Sequence, residues 1–343
     1  NITNVASDFL FCIIHKVNSN HKTYMHKVTV IVPVYNAESC IERCVRSLFE
    51  QTLSDIEYVF VDDCTPDRSM EVLDELLKEY PERARNTVII RHSENTGQSG
   101  ARRDGIKAAT GEYLIHCDAD DWVDPDMYES MYVKAKAEDV EAVCCDIVLE
   151  FDGFSTTLSV TDAYEDHQLM YDCKAHVSVE YFSMCNRLVS RKVFERNTIL
   201  PFEGVNMWDD VGMSTRVRFY VRSTAVINKG FYHYNRQNEQ STTRRPLLDR
   251  AREQELCIEC IEDFFRKENS YDKYRLFLSY LRLVAAEDLF YYEPDIWRQK
   301  FDGLKDDLWK LRKAYTTKQL FKFYTLGCGG NIGKLVWKRF WKR

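Results

Sequence analysis

The sequence predicts an α/β sandwich built on a mostly parallel sheet, followed by a helical C-terminal region. Three observations lead there. Apolar, β-branched runs alternate with segments of helical spacing from Lys27 to Glu150, aspartates gather just beyond the ends of those runs, and from Leu247 onward only helical stripes remain.

The run KVTVIVPV, Lys27 to Val34, is nearly continuous in apolar residues, as expected of a central strand covered on both faces. Ala37 to Gln51 has helical spacing through Ile41, Val45, Leu48 and Phe49. A second strand, Ile56 to Asp62, precedes a helix through Val72, Leu73, Leu76 and Leu77. TVIIR, Thr87 to Arg91, is a third strand; a helix from about Gly100 to Ala109 then leads to EYLIHCD, which ends at Asp118. A helix after Asp126 and the strand AVCCDIVLE continue the alternation, which calls for right-handed crossovers. Gly153 to Val177 is polar and irregular, a hairpin or loop, and a helix is predicted over Ser178 to Arg196.

With 343 residues, 45% of them hydrophobic and 29% charged, the chain can bury a sizeable core. A formal net charge of -7 argues against nucleic acid as a partner. The twelve cysteines are scattered and lack zinc-site spacing, which predicts buried free thiols. No apolar stretch reaches transmembrane length, and residues 1–25 read as an N-terminal tail.

In open α/β sheets ligands bind beyond the carboxyl ends of the strands. Those positions here are Pro33, Tyr35 and Asn36 after the first strand, Asp62 and Asp63 after the second, and Asp118, Ala119 and Asp120 after the fourth. Clustered carboxylates repel one another unless a cation sits between them, and Mg²⁺ or Mn²⁺ takes one or two carboxylates together with substrate phosphates. Asp118 and Asp120 therefore read as a metal and diphosphate clamp, against the alternative of a solvated turn. Asn95 to Arg102, with Gly97 and Arg102, opens a helix where backbone N–H groups and a cation can meet an anion. It is neither a dinucleotide nor a Walker-type loop.

Taken in order, VTVIVPVYN (Val28 to Asn36), FVDDCTPDRS (Phe60 to Ser69) and ENTGQSGARRDGIKAATGEYLIHCDADDWVDP (Glu94 to Pro125) resemble glycosyltransferase family 2, inverting enzymes of the GT-A fold. The motifs stand at the family's usual separations. The resemblance implies that Pro33, Tyr35 and Asp62 or Asp63 line a base pocket with Arg102 nearby. It implies that Asp118 faces ribose and metal, and that Asp120 ligates Mn²⁺ or Mg²⁺. The donor would be a nucleoside diphosphate sugar, often uridine-linked. The family more often carries a small residue and a serine where Cys64 and Thr65 stand.

Inverting transfer needs a base for the acceptor hydroxyl. GVNMWDDVGMSTRV, Gly204 to Val217, resembles the family's acidic pair at a helix start and points to Asp210 as the base, with Asp209 beside it; helix capping is the rival explanation. FYHYNRQNEQSTTRR, Phe231 to Arg245, resembles the family's segment after the acidic helix, which implies His233 as a third metal ligand, against a structural role between tyrosines, and Arg236 or Arg244 as a phosphate contact. GKLVWKRFWKR, Gly333 to Arg343, mixes aromatic with basic residues at helical spacing, which suits an anionic membrane surface.

These readings expect a GT-A domain over residues 26–240, a helical region over 241–343 with a membrane-surface helix at 333–343, and a cytoplasmic enzyme placed peripherally on the inner membrane. Its acceptor would be a glycan or lipid-linked saccharide of the cell surface. Two alternatives stand beside it: a nucleotide-sugar-binding protein without catalysis, against which Asp210 argues, and a sugar-phosphate nucleotidyltransferase. The latter predicts a basic Gly-rich loop directly after the first strand, where Pro33 to Asn36 offers none.

Overall fold

The apolar runs fold as strands covered on both faces. β1 (Val28–Val34), β2 (Ile56–Asp62), β3 (Thr87–Arg91) and β4 (Tyr113–His116) lie parallel in the order β3-β2-β1-β4. The structure is a computed structural model that describes residues 26–159, 182–238, 247–292 and 303–313, with the single positions 299, 315, 317, 320, 321 and 323. Arg244, the tail over 1–25 and the basic segment 333–343 lie outside the described residues.

The amphipathic segments between these strands become α1 (Ile41–Phe49), α2 (Ser69–Glu79), the single turn α3 (Pro81–Ala84), α4 (Gly97–Ala108) and, after β4 and the short β5 (Trp122–Val123), α5 (Met127–Ala137). Apolar faces of α1, α2 and α5 close one side of the sheet over Val30, Val32, Tyr58 and Phe60. On the other side Ala101 of α4 meets Val59, Val61 and Ile90. Each fully buried Val, Ile or Phe here stabilises the fold by about 1.5–3 kcal/mol. Gly105 lets α4 approach closely, since a Cβ there would lie 2.4 Å from Ile31 Cγ2.

Past β4 the pairing becomes mixed. β6 (Ala142–Phe151) pairs with β7 (Phe154–Leu158) through a turn in which Gly153 has φ +77°, the hairpin allowed for after Gly153. β8 (Arg187–Ser190) runs antiparallel to both β4 and β6, and β9 (Thr224–Asn235) pairs parallel with β6 and antiparallel with β5. The helix expected over Ser178 to Arg196 is thus corrected: residues 187–190 are a strand, and only α6 (Arg191–Asn197) is helical. The vacant ladder between β4 and β6 overrides local spacing, burying Leu188 and Val189 completely.

Residue contacts divide the chain into two units that interleave along the sequence. One holds the sheet; the other comprises 161–183, 205–219 and 239–343. Within the second, α7 (Asp209–Tyr220) sets Phe219 edge-on to Phe264 of α8 (Leu247–Lys267), with ring centroids 5.2 Å apart. α8 pairs with α9 (Tyr271–Tyr292) through Phe265 and Tyr274, stacked at 4.3 Å, and through the ion pair Glu262–Arg282. Asp307 of α10 (Lys305–Leu308) accepts from Ser279 Oγ at 2.8 Å. No described helix is long and apolar enough to cross a membrane.

Candidate active site

The carboxyl ends of β1, β2 and β4 come together at one edge of the first unit. Asn36, just past β1, and Cys64, just past β2, both adopt left-handed φ, +52° and +58°, and Asn36 N donates to Thr65 Oγ1 at 2.8 Å. A left-handed turn at Cys64 explains why small residues suit that position in the resembling sequences. Tyr35 is half exposed and Pro33 partly buried, so both face accessible space.

Asp62 and Asp63 have different tasks. Asp62 accepts from Thr65 N at 2.9 Å and from Arg91 Nη1 at 3.0 Å. Asp63 is buried and takes Thr96 N, Thr96 Oγ1 and His92 Nδ1 on one oxygen and Gly97 N on the other, each at 2.8 Å. It therefore holds the entrance of α4 in place. The Gly97 amide, expected to meet an anion, donates here to Asp63 Oδ2. His92 also faces Asp104 Oδ2 at 3.2 Å, and Asp104 first and Asp63 second raise its pKa to about 9.

After β4 the chain turns through Asp118, Ala119, Asp120 and Asp121, closed by Asp121 N donating to Asp118 O at 3.1 Å. Arg102, buried on α4, donates to Asp118 Oδ1 at 2.6 Å, and Gln98 Nε2 donates to the same oxygen at 3.1 Å. Asp120 Oδ2 accepts from Asn238 at 2.7 Å. Asp121 is buried against the Tyr232 hydroxyl and accepts Asn235 N at 2.8 Å. Burial, and after it the charge of Asp118, raises the Asp120 pKa; burial followed by Asp120 and Asp118 raises that of Asp121 well above the ordinary carboxylate range. The loop thus crowds carboxyls whose joint ionisation the surroundings disfavour.

Among the described residues no three His, Cys, Asp or Glu side chains stand grouped as for a metal, the expected trio Asp118, Asp120 and His233 included. His233 instead stacks on Trp122, with centroids 5.2 Å apart, and its ring nitrogens face Glu150 at 2.7 Å and Asp124 at 3.0 Å. Alternation along β9 is the reason. It turns His233 away from the face that carries Tyr232 and Tyr234. The oxygen-only pair Asp118 and Asp120 still fits Mn²⁺ or Mg²⁺, which share one or two carboxylates with phosphate and water. Reading FYHYN with a period of two identifies Tyr232, which sequence reasoning passed over together with Asp121, Asn235 and Asn238. Arg236 is exposed, its guanidinium 5.4 Å from the Tyr234 ring centroid.

In the second unit, α7 begins at Asp209 directly after Trp208, whose φ of +68° is rare for a bulky residue. Such strain collects where function demands it. Asp209 is buried, whereas Asp210 is only partly buried and accepts Val211 N at 2.8 Å.

The sequence profile of Glycosyl transferase family 2 matches residues 29–198. Over that stretch the chain is similar to glycosyltransferase family 2. The uncharacterized glycosyltransferase EpsJ of Bacillus subtilis strain 168 is 33% identical over 227 residues, 64% of this chain and 63% of that protein, so the chain spans less than two thirds of this relative. S. aureus TarS, solved in complex with UDP-GlcNAc, superposes with a TM-score of 0.60 at 16% identity, covering 88% of this chain and 90% of that one. The mannosyltransferase PcManGT from Pyrobaculum calidifontis, solved with GDP-Man and Mn²⁺, gives a TM-score of 0.54 at 19% identity over 88% and 80%. At these identities the likeness shows the fold alone, which is the GT-A type expected from the sequence.

Proposed function

We propose that the protein transfers a hexose or N-acetylhexosamine from a nucleoside diphosphate sugar, UDP-linked, to a glycan or lipid-linked saccharide of the cell surface, inverting the anomeric carbon. The observation that carries this reading is the acidic turn at the end of β4, which Asp121 N closes on Asp118 O at 3.1 Å and which crowds Asp118, anchored by buried Arg102 at 2.6 Å, with Asp120, held by Asn238 at 2.7 Å. A divalent cation and a diphosphate together relieve that crowding. Bound at Asp118 and Asp120, Mn²⁺ or Mg²⁺ would supply Lewis-acid stabilisation to the departing diphosphate.

The chain's own groups do the rest. Arg102 fixes the Asp118 carboxylate, while Tyr35, Pro33 and Asp62 line the base pocket. Arg236, and Arg244 from outside the described residues, add positive charge for the phosphates. Asp210 removes the proton from the acceptor hydroxyl as its oxygen bonds to the anomeric carbon and the bond from that carbon to the diphosphate oxygen breaks. Of the acidic pair Asp210 is the more accessible, which supports it over Asp209. The basic and aromatic segment 333–343 would hold the enzyme on anionic lipid at the inner membrane face.

A screen of nucleotide sugars with Mn²⁺ or Mg²⁺, scored by nucleoside diphosphate release, tests the reading. UDP-sugar turnover is expected, lost in Asp210→Asn with donor binding retained. Calorimetry showing no metal-dependent nucleotide-sugar binding would refute it.

A further inference from the structure

The residue that opens α7 is a poor cap. The first intrahelical bond runs from Gly212 N to Trp208 O at 3.0 Å, which puts Trp208 at the N-cap. That position favours Ser, Thr, Asp or Asn, whose side-chain oxygens accept the first N–H groups of a helix. Trp208 has only an indole N–H to offer, and its φ of +68° is one that a bulky side chain rarely adopts. Such a turn persists only where its surroundings hold it.

α8 supplies what the turn lacks. Glu253 Oε2 accepts Met207 N at 2.8 Å, and the Cys257 thiol donates to Trp208 O at 3.2 Å. Glu253 and Cys257 stand four residues apart, so one face of α8 carries both an acceptor and a donor to backbone groups of two successive residues. Both bonds lie within the second unit, where Phe219 against Phe264 fixes the far end of α7 on the same helix. Cys257 is fully buried, and burial first, then the charges of Asp210 and Asp209, push its thiol well above the ordinary range. The thiol therefore keeps its proton and remains a donor, with the aspartate pair inside its electrostatic reach.

We infer that Glu253 and Cys257 are positioning residues: by fixing the Trp208 turn they set the direction in which Asp210 presents its carboxylate. This rests on the transferase reading with Asp210 as the base. Asp209 is buried and Asp210 only partly so, and both stand in the first turn of α7. Successive helical residues differ in direction by about 100°, so a rotation of the helix start by one residue would exchange the two. What α8 fixes is which aspartate is presented.

Hydrogen exchange and steady-state kinetics on the full chain test this, with UDP-glucose, UDP-N-acetylglucosamine and UDP-galactose plus Mn²⁺ as donors. Glu253→Ala and Cys257→Ala should each lower kcat by about tenfold to a hundredfold, the size of a small misplacement of a reacting group, with the donor's KM unchanged. Glu253 is only half-buried, so its variant reports even where the fully buried Cys257 tolerates no change. Because both residues act on one turn, the double variant should lose little more than the worse single one. Glu253→Gln and Cys257→Ser, which keep an acceptor and a donor in place, should recover most of the loss. Amides in the first turn of α7 should exchange faster in the alanine variants while those of α9 do not change. Wild-type kcat in both alanine variants overturns the inference, as do fully multiplicative losses in the double variant. A loss in Glu253→Gln equal to that in Glu253→Ala assigns the effect to charge rather than placement and also overturns it. Unchanged first-turn exchange overturns it whether or not turnover is observed. The two readings fail separately: Asp210→Asn inactive beside fully active alanine variants defeats the positioning alone. Wild-type turnover in Asp210→Asn, with first-turn exchange faster in the alanine variants, defeats the assigned base and leaves the hold of α8 on the turn standing.

Discussion

Two aspartate clusters that look alike in sequence, Asp62–Asp63 after β2 and Asp118–Asp121 after β4, have opposite electrostatic fates. Asp63 receives four donors at 2.8 Å from His92, Thr96 and Gly97, so its charge is fully compensated within the protein. Among the described residues Asp120 takes a single side-chain bond, from Asn238, and sits beside Asp118 and buried Asp121. The first cluster is tied into the scaffold, whereas the second is the one where the proposed function would place a cation. What separates them is the number of donors per carboxylate, not the acidity of the stretch.

The sharpest way to break this comparison is to neutralise one carboxylate in each cluster. Asp120→Asn should lower nucleoside diphosphate release by about 10²–10³-fold, as loss of one preorganised charge contact does, while denaturant unfolding shows stability unchanged or increased. Asp63→Ala should do the reverse in kind. Leaving His92 and the α4 entrance unpaired costs about 3–5 kcal/mol in urea unfolding, the range for breaking a buried pair. Equal destabilisation by both substitutions would erase the distinction.

His92 sharpens the scaffold side through pH. Its folded value of about 9 stands above the ordinary 6.5, so the stability it contributes is fully present below 6.5 and is lost as pH rises through 9. The whole effect is at most about 3 kcal/mol, and His92→Asn should flatten that part of the stability profile. Unfolding midpoints measured from pH 6 to 10 check it. The smallest effect belongs to Arg43, whose guanidinium lies 3.4 Å over the Trp122 ring and lowers the Asp120 pKa. Arg43→Gln should cost about 0.5–1 kcal/mol in thermal melts, the size of an exposed cation–π contact. A larger loss would mean that the acidic turn depends on Arg43 for its shape.

Much of the fold was legible because periodicity is local. The runs at Val28, Ile56, Thr87 and Tyr113 announce buried parallel strands, and the twelve-residue α4 follows its Gly-rich opening. That Asp62, Asp118 and Asp120 gather at the carboxyl edge of the sheet was legible for the same reason, since strand ends place them there without any tertiary information. The free state of the nine described cysteines, six of them buried, also agrees with their scattered spacing.

What the chain alone determined, then, is which segments become strands, which loops gather at their carboxyl ends, and that carboxylates meet there. Tertiary structure decided the rest. Whether Arg187 to Ser190 is helix or strand depended on an open ladder between β4 and β6. Whether Asp63 or Asp120 keeps an unbalanced charge depended on donors 29 to 118 residues away in sequence. That His233 meets Glu150, Asp124 and Trp122 depended on the β9 pairing that set its face. The physical reason is common to all three: hydrogen-bond partners and burial are properties of neighbours in space, and residue spacing encodes only those neighbours that a helix or strand brings together.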